Sequence, residues 1–234
     1  MKKLQFSQKS SNPIDKRTVF VYNINEHCSL KEKIMNKKGL TSEEITKAAS
    51  QMIAEVGYAN FSLRDLAARL GVRPSSLYNH ITGIGEINTA VAVDASLQMN
   101  RRMEEATRDL PPEEAFLKGL AEYRAFASEN PEIYKALFRM PEQSNDEELL
   151  RRATLYAVRA LRLICLDFGL DDDDMIHFMR CLRSTLHGFV SLTAEGFLLR
   201  GGVPRDESFA VLSQMLLNQL KSMSPKYKKG EEEK

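Results

Sequence analysis

The residue types that could do chemistry crowd into one stretch, where Asp171 to Asp174 are followed by His177, Cys181 and His187. Consecutive aspartates could gather a divalent cation, and an imidazole near a thiol could hold a metal or pass a proton. The spacing argues against both. Calcium loops separate their ligands around a tight glycine turn. Adjacent aspartates just before an apolar periodic run read instead as a helix cap and first turn, where carboxylates meet free N–H groups and the positive end of the helix dipole. His177 and Cys181 are four residues apart and share a helix face, but two ligands fall short of the three protein groups that a zinc site takes. His187 sits about 80° off that face at about 100° per residue. No nucleophile elbow, phosphate loop or paired-carboxylate pattern occurs. These residues predict no catalysis, no metal and no cofactor.

The elements that position these residues follow from composition and periodicity. The chain has 234 residues, 43% hydrophobic and 28% charged, enough for one large domain or two modest ones with a proper core. Three scattered cysteines, Cys28, Cys165 and Cys181, exclude a disulfide framework. No uncharged run reaches the about 18 residues of a membrane helix, and none follows the N-terminal lysines as in a signal peptide. The expected location is the cytoplasm, with no membrane partner.

The net charge of +1 argues against nucleic-acid binding through bulk charge, yet it conceals a strong asymmetry. Residues 1–40 carry nine basic and three acidic side chains, whereas residues 91–220 carry fifteen and twenty-one. Residues 1–34 are polar and aperiodic. They read either as a basic disordered arm or as a segment upstream of a natural start at Met35.

Regular patterning begins at Thr41. Thr41 and Glu44 form a capping box, and Ile45, Ala48, Ala49, Met52, Ile53 and Val56 recur at helical spacing before Gly57. Ser62 caps a second helix, with Leu63, Leu66, Ala67 and Leu70 on one face and Gly71 after it. Pro74 opens a third, of about two turns, to His80. A helix, a tight glycine turn and a short helix that starts with small polar residues could read DNA, the second helix entering the major groove. The same pattern also suits a plain helical hairpin in an all-α protein.

The run from Gly57 to Ile81, with its Leu-Gly-Val turn and its Leu77-Tyr78-Asn79-His80 core, resembles the TetR family of bacterial transcription regulators. The segment Leu182 to Leu192, with Leu186-His187-Gly188, is similar to the C-terminal domain of a subgroup named for a Trp-His-Gly motif. The resemblance implies an all-α chain: a three-helix helix-turn-helix head over 35–83, a helical bundle for ligand binding and dimerisation over 84–221, and a charged tail over 222–234. It implies double-stranded operator DNA as a partner. Arg64 then reaches guanine, Asn79 pairs adenine or spans two bases, and Arg73, Pro74 and Ser75 start the recognition helix. Ser76, Tyr78 and His80 meet phosphate, Ser62 lies beside them, and Lys37 and Lys38 lie over the adjacent minor groove or phosphates. One departure is Ile84, where many members carry a phosphate-binding lysine. Backbone N–H groups at that helix N-terminus are the substitute.

Beyond Ile84, breaks at Pro111-Pro112, Asn130-Pro131, 141–145, 169–174 and 201–204 divide the chain into helices near 84–110, 112–129, 131–139, 146–168, 172–200 and 206–221. Aromatic residues concentrate here, and most serve as core. The resemblance implies a small-molecule effector among them, with Tyr123, Phe126, Tyr156, His187 and Ser191 as candidate contacts. It also implies a homodimer across the last two helices, through Leu182, Phe189, Phe197, Phe209, Leu212, Met215 and Leu216. The function expected is a ligand-responsive repressor released from a near-palindromic operator, with helix 84–110 as the lever. The alternative is an all-α sensor or enzyme with a vestigial head.

Overall fold

The computed structural model describes residues 40–138, 147–199 and 201–228, and within it the chain from Thr41 onward forms one unit. Residues 1–39, and with them Lys37, Lys38 and the Met35 alternative, lie outside the described residues. Every regular element among the described residues is helical.

The head consists of α1 (Ser42–Val56), a 3-10 turn (Tyr58–Asn60), α2 (Leu63–Arg69) and α3 (Pro74–Leu77). The capping box is complete: the Glu44 N–H donates to the Thr41 hydroxyl at 3.2 Å, and the Thr41 N–H donates to the Glu44 carboxylate at 2.9 Å. Ile45, Ala49 and Ile53 of α1, Leu66 and Ala67 of α2 and Leu77 of α3 are all buried, and α2 packs against both α1 and α3. Val56, expected on that face, is exposed at the last turn. Arg69 bridges α2 back to α1 by a two-pronged pair with Glu55, at 2.5 and 2.8 Å.

The third helix is shorter than its pattern predicts. Only Pro74–Leu77 is α-helical, and the chain then turns, with the His80 and Ile81 N–H groups both donating to the Leu77 carbonyl. That shared acceptor closes the turn, and Ile81 just after it is buried.

The body comprises α4 (Ile84–Thr107), α5 (Pro112–Glu129), α6 (Pro131–Phe138), α7 (Glu147–Leu163), a 3-10 turn (Leu166–Phe168), α8 (Asp172–Ala194), a second 3-10 turn (Phe197–Leu199), α9 (Arg205–Met223) and α10 (Pro225–Lys228). The break expected at 141–145 lies outside the described residues; the others fall near these boundaries, with α7 and α8 ending earlier than expected, at Leu163 and Ala194. The aspartates before α8 do what their placement implied: the Asp171 carboxylate accepts from the Asp174 N–H at 2.8 Å.

Helix α4 is the axis, packing against α1 of the head and against α5, α6 and α7. Its apolar faces alone would let it slide along α7. Buried Asn100 prevents this by donating to the Tyr156 carbonyl (2.9 Å) and accepting from the Ala160 N–H (3.3 Å). A polar group at this depth is tolerated because both of its functions are paired.

The segment from 222 is less of a tail than its charge suggests. Buried Ser224 donates to the Phe168 carbonyl, Tyr227 stacks on Phe168 at 5.8 Å, and the Tyr227 hydroxyl and Lys221 both reach Glu113, at 3.1 and 2.8 Å. These contacts fold residues up to 228 onto the body.

Candidate functional site

In the head, the candidate DNA contacts divide by what they already bond. Ser62 is committed to structure: its oxygen accepts from the Asp65 N–H at 3.2 Å and its hydroxyl donates to the Asp65 carboxylate at 2.5 Å. Arg64, Arg73, Pro74, Ser75, Tyr78, Asn79 and His80 are exposed, and Ser76 is half-buried. Tyr78 shows 58% of its surface although it is a large aromatic residue. None of the Arg64, Arg73, Tyr78, Asn79 or His80 side chains has a hydrogen-bond or ionic partner among the described residues. Leu77 between them is fully buried and pins the turn that presents them.

The departure at Ile84 acquires a physical consequence. The Thr82 N–H and hydroxyl both donate to the Glu86 carboxylate, at 2.7 and 2.8 Å. A phosphate approaching the start of α4 would therefore meet a carboxylate that already holds the Thr82 N–H, just ahead of the helix.

In the body, a cleft of about 440 Å³ opens between α6, α7 and α8. Phe138, Val158, Ile176 and Met179 supply its apolar wall, and Arg162, Arg180, Arg183, Ser184 and His187 its polar one. Of the five residues expected to contact a ligand, only His187 lines it. Phe126 is buried. Tyr156 packs partly buried against Ala92 and Val93 of α4, spent on the core.

Tyr123 and Ser191 reach the cleft indirectly. The Tyr123 hydroxyl lies 2.9 Å from that of Tyr134, which lies 3.0 Å from Nδ1 of His187, whose Nε2 is 3.4 Å from the Ser191 hydroxyl. Burial pushes both phenols above the ordinary tyrosine range, so they stay protonated. Burial, and secondarily the Arg183 charge, holds His187 below the usual imidazole value. A neutral imidazole fits two directions: Tyr123 donates to Tyr134, Tyr134 to Nδ1 and Nε2–H to Ser191, or Nδ1–H donates to Tyr134, Tyr134 to Tyr123 and Ser191 to Nε2.

Tyr134 is the member that sequence reasoning passed over, because an aromatic at helical spacing reads as core. Replacing it with phenylalanine strands a buried hydroxyl and a ring nitrogen, so Tyr134→Phe is expected to cost about 1–3 kcal/mol in urea unfolding. Tyr123→Phe added to it should recover part of that loss. Equal stability of Tyr134→Phe and the native chain would show that the relay has no energetic role. The missed arginines did leave a signal: Ile176, Arg180, Arg183, Ser184 and His187 recur on one helical face.

Helix α6 joins the two regions. Phe138 at its C-terminal end lies against the His187 ring, centroids 4.0 Å apart. At its other end the Glu132 carboxylate accepts from the Tyr58 N–H of the head at 3.1 Å. Gly57 makes room for that contact. Its φ of +84° is one that side chains rarely adopt, and a Cβ there would stand 3.3 Å from the carboxylate.

The sequence matches two family models, "Bacterial regulatory proteins, tetR family" over residues 45–83 and "Tetracyclin repressor-like, C-terminal domain" over residues 116–216. It is 31% identical to YobS, an uncharacterized HTH-type transcriptional regulator of Bacillus subtilis, over 77% of this chain and 95% of that protein. The chain belongs to the TetR family. It is a DNA-binding transcriptional regulator of that family. Among solved structures, the fold matches the TetR regulator SCO7222 of Streptomyces coelicolor at a TM-score of 0.61 and 17% identity, over 79% of this chain and 99% of that one. It also matches a TetR protein of Acinetobacter baumannii, solved in complex with minocycline, at a TM-score of 0.58 and 15% identity over 79% and 98% of the two chains. At that identity the likeness is one of fold. Among the described residues no helix is long and apolar enough to cross a membrane.

Proposed function

We propose that this TetR-family regulator is a homodimeric repressor, released from a near-palindromic operator when a small molecule enters the cleft between α6, α7 and α8. The observation that carries the reading is helix α6, which touches the cleft through Phe138 and Tyr134 and the head through Glu132. A ligand that shifts α6 acts on the head without an intermediary, and α4, packed against both head and body, is the lever that turns the shift into a change of head spacing. The ligand lowers DNA affinity by the ratio of its affinities for the two conformations.

The dimer face proposed is the outer side of α8 and α9, with a shift in membership from the sequence expectation. Leu182, Phe189 and Phe209 are buried within their own chain and Leu212 and Leu216 are half-buried, whereas Phe197 and Met215 are 70% and 67% exposed. Leu192, Val203 and Val211 join them as exposed apolar residues. A Cβ at Gly188 would meet nothing within 4 Å, leaving α8 open to close approach. Met215→Lys is expected to raise the monomer fraction in sedimentation at micromolar concentration, while a Ser222→Lys control, on the same helix, should not.

Footprinting upstream of the protein's own gene tests the regulator as a whole. Protection of two half-sites in successive major grooves, about 34–36 Å apart, is expected. Absence of any palindromic protection would sink the repressor reading. Glu132→Ala should keep operator affinity but blunt its response to an effector.

A further inference from the structure

We infer that the effector is an organic carboxylate on an apolar or aromatic body, its carboxylate held by Arg180 and Arg183. The inference rests on the reading of the body as the effector domain. Arg162, Arg180 and Arg183 all line the cleft, and no aspartate or glutamate lines it among the described residues. Arg180 and Arg183 stand one turn apart on α8, and neither has a hydrogen-bond or ionic partner there. Arg162 comes only within 3.9 Å of Asp172, an exposed side chain.

Guanidinium groups stay charged at any working pH, so three around one cleft repel each other until an anion enters. The arrangement is not a by-product of composition, because residues 91–220 carry more acidic than basic side chains. The planar fork of arginine matches a carboxylate two bonds at a time.

The other wall suits the rest of such a molecule. Phe138, Ile176 and Met179 offer an aromatic and apolar surface, and about 440 Å³ lies within the range of a single small-molecule site. The Arg183 charge also acts on Tyr123, Tyr134 and His187. A carboxylate on Arg183 therefore neutralises a field that the relay feels, which couples occupancy to Tyr134 and so to α6.

Calorimetry on the full chain tests this with two matched pairs, naphthoate against naphthamide and decanoate against decanol. Each carboxylate is expected to bind about tenfold or more tighter than its neutral partner, the preference shrinking as salt rises. In R180Q and R183Q variants, both of surface-accessible side chains, the preference should fall several-fold, and in the double variant it should vanish. Equal affinity of carboxylate and neutral partner, no binding of either carboxylate, or an undiminished preference in the double variant would overturn the inference. A gel shift of the upstream DNA without any probe separates the two readings. Intact DNA binding without carboxylate preference sinks this inference alone, and carboxylate preference without DNA binding sinks the repressor alone.

Discussion

Asn79→Ala is expected to weaken operator binding by about 2–6 kcal/mol per dimer, because each of two heads would lose the proposed base contact, worth about 1–3 kcal/mol. That is a loss of roughly thirtyfold at the least, read by fluorescence anisotropy on the footprinted site. Binding to unrelated DNA should change little, since phosphate contacts carry no sequence information. Thermal stability should be unaltered, because the side chain is exposed and bonds nothing in the head. Tyr78→Ala provides the contrast. Its phenol, 58% exposed, is proposed to meet phosphate, so its removal should weaken specific and non-specific binding alike. Full operator affinity in Asn79→Ala would remove Asn79 from the base-reading set.

The largest stability effect is expected in the body. Phe116→Ala should cost about 3–5 kcal/mol in urea unfolding, the usual range for deleting a buried phenylalanine. Phe116 on α5 is fully buried, with the Phe168 ring edge-on and the Phe178 ring tilted against it, both at 6.2 Å. Phe168 in turn stacks on Tyr227, so one ring ties α5, α8, the turn after α7 and the C-terminal segment together. Those partners belong to three other elements and cannot all collapse into the vacancy, which places the cost toward the upper end. Phe116→Leu, which keeps most of the volume, should cost far less. A Phe116→Ala loss below about 1 kcal/mol would show that the site relaxes freely.

Much of the architecture was legible because it is written in local rules. Thr41, Glu44, Ser62, Asp171 and the proline and glycine breaks act within a turn of their own position, so cap and boundary follow from neighbours in the chain. The shortening of α3 was not legible, since it goes with the burial of Ile81. The packing of residues 222–228 was hidden for the same reason. Their charge suggests solvent, while Ser224 and Tyr227 meet partners more than fifty residues away.

For the site, the order, spacing and types of residues 57–81 were enough to identify the family. Which side chains of the head are held by others is partly local too, since Ser62 and Glu86 bond within about a turn of their own positions. The cleft belongs almost wholly to the tertiary structure. Tyr123, Phe126 and Tyr156 are chemically suited to a pocket, but helix packing turned two of them into core and left Tyr123 two hydrogen bonds from the opening. It brought Tyr134 and Phe138 from α6 and Arg162 from α7 to the face of α8 that carries Arg180, Arg183 and His187. By itself, then, the sequence determined the helices, most of their starts and the DNA-binding family of the head, because capping, periodicity and turn chemistry act over a few residues. The tertiary structure decided which arginines and aromatics share a cleft and which helix connects it to the head, because burial and charge are set by neighbours that the chain brings together from far apart.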